Sequence, residues 1–364
     1  MALFRRPPAT PAGPDLPQRV ADSACRRIAV LALHPGAGAG TVLAALASGL
    51  QAAGLEPGLT SAAGGPIEDD PSAWPGERTR LPAGVVAATD VGALEDSGAT
   101  VKILEPASGE DGDCAVVRVV EEGPIVLHGP EDGARMARVL DRLDRVVSGP
   151  LCVSGRWDRR SFAAPGRVDG WVLVVGAAFS PTPERAAAAV RHHVELTRRP
   201  PCDELVRLAW EVSSSRNEVV LVGDGGAVLG SVPAFASELE DAIGRADRSR
   251  MEAIVFPGTI HDELVQPLVR GDWRGALVAH DATRILTAPV YYRAWSKEGG
   301  SFQVVRPGRL IAIATNPVSP IGEDADPQEF RDRVAEVVPD VPVHDVVLDA
   351  GGSGKTGGWR LWHR

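Results

Sequence analysis

The sequence predicts an α/β protein with a mostly parallel sheet: a P-loop- or Rossmann-like three-layer N-terminal half, then a second α/β half. Three observations carry this. Short, uniformly apolar runs recur along the chain, as strands buried on both faces require. Segments of helical composition alternate with them. The first apolar run leads directly into a glycine-rich turn and an Ala/Leu-rich segment, the order strand, turn, helix.

Residues 1–24 begin Pro-rich and are expected to be a disordered arm. Residues 27–34 form the first strand, 35–41 (PGAGAGT) the turn, and 42–54 a helix closed by Gly54, a residue suited to the position after a helix end. Residues 57–64 suggest a second strand. The Pro-, Gly- and charge-rich 65–84 suggest mostly loop. Residues 101–106 and 114–120 suggest strands, and 125 opens another unit. Between 131 and 145, Met136, Val139, Leu140 and Leu143 share one helical face. Strands are expected at 150–155 and 170–176, and a strong helix at 183–197 stopped by Pro200 and Pro201. A domain boundary at 200 follows, dividing 25–200 from 201–350. Beyond it, strands are expected at 217–223, 251–258, 274–280, 308–315 and 343–349, with helices at 232–245, 262–270 and 327–338. Residues 302–305 suggest an antiparallel edge, and 351–364 a flexible tail.

Composition bounds function. The 364 residues carry 48 acidic and 38 basic side chains, a net charge of -10, which weighs against a duplex nucleic-acid binder. The most uniformly apolar stretch, 171–179, is far below the ~20 residues that span a bilayer. No apolar segment follows Arg5 and Arg6, so no secretory signal is expected. Four scattered cysteines form no CxxC pair and suit a reducing cytoplasm. Only Lys102, Lys297 and Lys355 are lysines.

That last fact decides much about the turn. Gly36, Gly38 and Gly40 let backbone amides approach a phosphate, the helix start faces the same anion, and Thr41 stands where a hydroxyl caps the helix or holds a metal. Yet GxGxxG fails, because its third glycine falls on Thr41. The pattern GxxxxGK[ST] also fails, because no lysine occurs between Arg27 and Val101. Residues 351–356 contain GKT, but Asp349 occupies the required first glycine, and too little chain follows for a helix. The turn is thus either a packing device or a residual nucleotide site. Asp224, Asp262 and Asp281 follow strand ends, where α/β sites form and where helix caps are also common. His192 and His193, being adjacent, face different ways and suit no shared metal. Asp158, Arg159, Arg160 and Ser161 offer an ion-paired turn or a phosphate contact. No GxSxG elbow is present.

Several segments, in order, resemble one family. They are 58–66 (GLTSAAGGP), 81–90 (LPAGVVAATD), 103–106 (ILEP), 153–165 (VSGRWDRRSFAAP), 169–180 (DGWVLVVGAAFS), 256–268 (FPGTIHDELVQPL), 281–286 (DATRIL) and 314–322 (ATNPVSPIG). The family is the accessory, reactivase-type subunit found with adenosylcobalamin-dependent lysine 5,6-aminomutase. The resemblance runs from about residue 27 to 347. It implies a P-loop-like half, an aminomutase or ATPase-subunit partner, and help in exchanging inactivated cobalamin. It also implies two losses. The family's turn lysine falls on Ala39, and a strand-end aspartate falls on Ser154, whereas Asp158 and Arg159 are retained. Without that lysine and that carboxylate, ATP and Mg would be held weakly or not at all. The expected role is a non-hydrolysing accessory or scaffold protein, with no nucleic-acid or membrane partner. The alternatives are an ATP/GTP hydrolase with a displaced cation, Arg159 or Arg160, and a Rossmann-type dinucleotide oxidoreductase.

Overall fold

The computed structural model describes residues 14–62, 77–109, 113–155, 160–180, 182–319 and 323–349. The chain divides into two compact units. Described residues within 1–158, 172–187 and 311–364 make the first; those within 159–171 and 188–310 make the second. A linear cut at 200 is therefore replaced by a discontinuous one: the chain crosses between the two units after residues 158, 171, 187 and 310.

In chain order the first stretch carries α1 (Leu16–Asp22), β1 (Arg27–Ala32), α2 (Ala39–Ala52), β2 (Gly58–Ser61), β3 (Glu77–Leu81), β4 (Val86–Asp90), α3 (Val91–Glu95), β5 (Thr100–Glu105), β6 (Cys114–Glu121), β7 (Gly123–Leu127), α4 (Gly133–Val146), β8 (Leu151–Gly155), β9 (Gly170–Gly176) and α5 (Pro183–Thr197). Then come α6 (Glu204–Arg216), β10 (Val219–Gly223), β11 (Val228–Val232), α7 (Ala236–Arg245), β12 (Met251–Val255), β13 (Ile260–His261), α8 (Asp262–Arg270), β14 (Ala276–Ala279), β15 (Ile285–Leu286), α9 (Pro289–Lys297) and β16 (Ser301–Val304). The chain closes with β17 (Leu310–Asn316), α10 (Pro327–Val337), β18 (Val343–His344) and α11 (Val346–Asp349).

A nine-stranded sheet, ordered β18-β17-β9-β1-β8-β2-β4-β6-β5, forms the first unit. The pairs β1–β8, β8–β2, β2–β4 and β17–β18 are parallel. The pairs β4–β6 and β6–β5 are antiparallel, at one edge. Val30 lies beside Ser154, and Ser154 beside Ser61, so the carboxyl ends of three strands align. The order also separates two strands that a dinucleotide fold keeps adjacent. In the 3-2-1-4-5-6 Rossmann order the second strand flanks the first; here β8 lies between β1 and β2.

Residues 16–22, expected within a disordered arm, instead form α1. Asp15 caps it by accepting from the Gln18 N–H (2.9 Å), and Pro17 stands at its start. Leu16 and Val20 are fully buried, worth about 1.5–3 kcal/mol each. Gly49 of α2 makes the docking possible: a Cβ there would lie 2.3 Å from Pro17 Cγ. Farther on, the charged run 77–81 was expected in a loop, yet it pairs antiparallel with β7. On α4 the four predicted apolar residues are buried, and buried Arg142 spans to the Glu105 carboxylate (2.9 Å) and the Cys114 carbonyl (2.8 Å). The run 343–349, expected as one strand, turns helical at Val346 because Asp345 accepts from the Leu348 N–H (3.0 Å).

The second unit holds a five-stranded sheet, β11-β10-β12-β14-β16. Its β12–β14 and β14–β16 pairs are parallel; β10 is antiparallel to both β11 and β12. The edge at 301–304 is thus parallel rather than antiparallel, and the antiparallel strand is β10. Apolar residues of α7, α8 and α9 pack on one face of this sheet, around Trp273, Trp295 and Phe302. On the other face α6 contributes Val206 and Ala209. Lys297 ends α9.

Candidate functional site

The glycine turn leaves the carboxyl end of β1 with Gly36 (φ 71°) and Gly38 (φ 96°) in the left-handed region. Gly38 is the residue before α2 and provides no side-chain cap. Its Cα is also crowded: a Cβ would meet Asn316 Nδ2 at 2.5 Å. Asn316, at the end of β17, is held there because its Oδ1 accepts from the Val318 N–H (3.0 Å). Across the turn, a Cβ on Gly176 of β9 would meet the Ala37 carbonyl at 3.0 Å. Glycines here satisfy both backbone conformation and close packing.

His34 fixes the base of the turn. Its Nε2 accepts from the Gly176 N–H (2.9 Å), so the proton sits on Nδ1, which donates to the Pro35 carbonyl (2.8 Å). Burial pulls its pKa below the ordinary histidine value, with the Pro35 carbonyl opposing in part. The ring is held neutral and fixed by its two backbone contacts.

Where the phosphate lysine would stand, Ala39 is the first residue of α2, buried in the core. Thr41 is the third helical residue and buried, so it is not the cap expected from sequence; Gly40 is half-buried. Ser154 is fully buried in the strand-end row with Ser61. The described turn therefore presents backbone N–H groups and a helix N-terminus, with hydroxyls where a carboxylate would bind metal. Such a cradle attracts an anion and supplies no side-chain cation for a terminal phosphate. Asp158 and Arg159 lie outside the described residues, as does Lys355. Arg160 begins a short 3-10 turn (Arg160–Ala163) in the second unit, where burial lowers its guanidinium pKa.

The three strand-end aspartates of the second unit do not all lie at one end of the sheet. Asp224 follows β10, whose antiparallel course sets Gly223 beside Met251 at the start of β12; its carboxylate is exposed and 3.5 Å from Arg250. Asp262 opens α8 and accepts from the Ala288 N–H (2.7 Å), tying down the start of α9. Asp281 is fully buried. One oxygen accepts from Thr283 N (2.8 Å) and Oγ1 (2.5 Å), the other from His280 Nδ1 (2.7 Å). Burial raises its pKa, but the His280 and Thr283 hydrogen bonds outweigh that and hold it below the usual carboxylate range. His280 packs on Trp210 with ring centroids 4.7 Å apart, a partner the sequence did not suggest because α6 itself was not anticipated. All three aspartates thus have structural occupations.

His192 and His193 each meet a backbone carbonyl through one ring nitrogen. The His192 ring is buried, donates from Nε2 to the Thr287 carbonyl (3.0 Å), and stands edge-on to Tyr292. His193 Nδ1 meets the Ala189 carbonyl one turn back (2.8 Å). Among the described residues no three His, Cys, Asp or Glu side chains gather to hold a metal. The four cysteines are free thiols, and burial pushes Cys152 up to about 12, which makes it inert.

A pH dependence follows. Burial depresses the pKa of His34 and, with Arg293 and Arg160 nearby, that of His192. The unfolded chain then binds more protons than the folded one below the unfolded value of ~6.5. Stability is expected to hold above that pH and fall as pH drops below it. Thermal unfolding at pH 7.5 and 5.5 checks this: the melting temperature should be lower at pH 5.5, and less so for His34→Gln. An unchanged or higher value at pH 5.5 would be contrary.

No protein-family model matches the chain, and neither a curated protein nor a solved structure does.

Proposed function

We propose that this chain is a non-hydrolysing, P-loop-related accessory protein that works by holding a protein partner. One observation carries the reading. A strand–glycine turn–helix of nucleotide-binding form has a buried alanine, Ala39, at the helix position where the phosphate cation belongs. Ser154 in place of a metal-side carboxylate supports it. ATP and Mg are therefore weak ligands or none.

The partner proposed, from the family resemblance, is an adenosylcobalamin-dependent aminomutase or its ATPase subunit, assisted in cofactor exchange in the cytoplasm. The acidic net charge favours such a partner over nucleic acid. No helix among the described residues is long and apolar enough to cross a membrane. The dinucleotide alternative loses ground because β8 separates β1 from β2. The displaced-cation alternative predicts turnover, which separates it from the proposal.

Two measurements test it. Phosphate release from Mg-ATP or Mg-GTP should stay at the enzyme-free background, and turnover on the order of 1 s⁻¹ would overturn the proposal. Affinity capture from the source cell should retain the aminomutase or its ATPase subunit; capture of neither would remove the partner assignment.

A further inference from the structure

Two histidines hydrogen-bond a carboxylate through one ring nitrogen, and they differ in the fate of the other nitrogen. His344 Nδ1 meets Asp349 (3.0 Å), and its Nε2 is buried without a partner. His280 Nδ1 meets Asp281 (2.7 Å). Its Nε2 has no hydrogen-bond partner among the described residues and is not buried; 17 % of the side chain is exposed.

The acceptor fixes the proton. An ionised carboxylate can only accept, so Nδ1 carries the hydrogen and neutral His280 presents a lone pair on Nε2. Asp281 is held in this role. It is fully buried, and its other oxygen is taken by Thr283 N (2.8 Å) and Oγ1 (2.5 Å). The imidazole also packs against Trp210, with ring centroids 4.7 Å apart. A base oriented by a buried carboxylate is the arrangement that proton-transfer sites share across unrelated folds. The pair stands where α/β sheets place chemistry: His280 directly follows β14, at the carboxyl end of the parallel run β12-β14-β16.

The surroundings select the substrate. Cys202, Trp210 and Val305 are half-buried and border one apolar cluster on the α6 side of the sheet. The cation of the adjacent strand end is turned away. Arg306 donates its N–H to the His280 carbonyl (2.8 Å), but its guanidinium lies at Gly166, where a Cβ would meet Nη1 at 2.7 Å. A phosphate ester would lack its countercharge there, whereas a small neutral acyl group meets apolar neighbours.

We infer that His280 is the general base of a hydrolytic site for small neutral acyl esters, with Asp281 as its positioning residue. Nε2 takes a proton from a water molecule as the water oxygen attacks the carbonyl carbon. The tetrahedral intermediate collapses, the bond to the alcohol oxygen breaks, and the proton on Nε2 passes to that oxygen. Acid and alcohol are the products. The inference is independent of the glycine turn, and its failure would leave the reading of the first unit standing.

The probe is p-nitrophenyl acetate, followed by nitrophenolate release from the full chain at pH 7.5. Hydrolysis should be saturable and at least about tenfold faster than with an equal concentration of free imidazole. His280→Gln should lower kcat about 10²-fold. Asp281→Asn, which keeps the size of the side chain and removes its charge, should lower kcat about tenfold or more at unchanged KM, a split that partial unfolding does not produce. His261→Gln, at an exposed histidine outside the dyad, should leave the rate unchanged. Should Asp281→Asn fail to fold, His280→Gln decides alone. A rate no greater than that of free imidazole, a rate retained in His280→Gln, a kcat retained in folded Asp281→Asn, or an equal loss in His261→Gln would overturn the inference.

Discussion

Gly38→Val is expected to destabilise the protein by about 3 kcal/mol, from two separable causes. A β-branched residue at φ 96° pays roughly 1–2 kcal/mol for the left-handed backbone. The new side chain must also displace Asn316, whose Nδ2 would lie 2.5 Å from the added Cβ, a packing conflict of about 1–3 kcal/mol. Gly54 provides the internal control. It too has a positive φ, 77°, but nothing lies within 4 Å of its would-be Cβ, so Gly54→Val should pay only the backbone part. In an Asn316→Ala background the cost of Gly38→Val should fall toward that of Gly54→Val, as the coupling in a double-mutant cycle. Urea unfolding checks this. Equal costs at the two glycines would mean that Asn316 does not press on the turn.

The second large effect is at Asp281. Replacing it with alanine removes one carboxylate from Thr283 N, Thr283 Oγ1 and His280 Nδ1 together, at a fully buried position. Loss of such a centre should cost about 3 kcal/mol. The pH dependence has a definite sign. The folded pKa of Asp281 is depressed, so its contribution is fully present above the unfolded value of ~3.9 and is lost as pH falls through the lower folded value. The gap between wild type and Asp281→Ala should therefore be wide at pH 6 and narrow below pH 4. Asp224→Ala, which removes an exposed carboxylate 3.5 Å from Arg250, should stay within ~0.5 kcal/mol. Similar costs at the two aspartates would contradict the geometry.

These examples show where sequence suffices. Local signals carried through: the strong helix from Pro183 ends at Thr197, just short of Pro200 and Pro201, and α8 spans Asp262 to Arg270 as its apolar spacing predicts. The glycine turn was legible because φ preference and spacing are properties of a few adjacent residues. Its partner Asn316 was not, because it reaches the turn only through the placement of β17 in the sheet. Helix α6 escaped notice because Leu205 and Leu208 are exposed, which blurs its amphipathic pattern, and with it went the Trp210 contact to His280. The direction of β10 is likewise a matter of pairing rather than composition. It moves Asp224 to the opposite end of the strands from Asp281.

The central claim is that the turn keeps the form of a nucleotide cradle and lacks its charge. Isothermal titration of Mg-ATP into the full-length chain tests it most directly. The expected result is no saturable heat, or binding no tighter than about 1 mM, the weakness of N–H groups and a helix terminus acting without a lysine or a metal. Magnesium-dependent binding in the low micromolar range would contradict it, because about 4 kcal/mol of further stabilisation would then have to come from a cation that Ala39 does not supply.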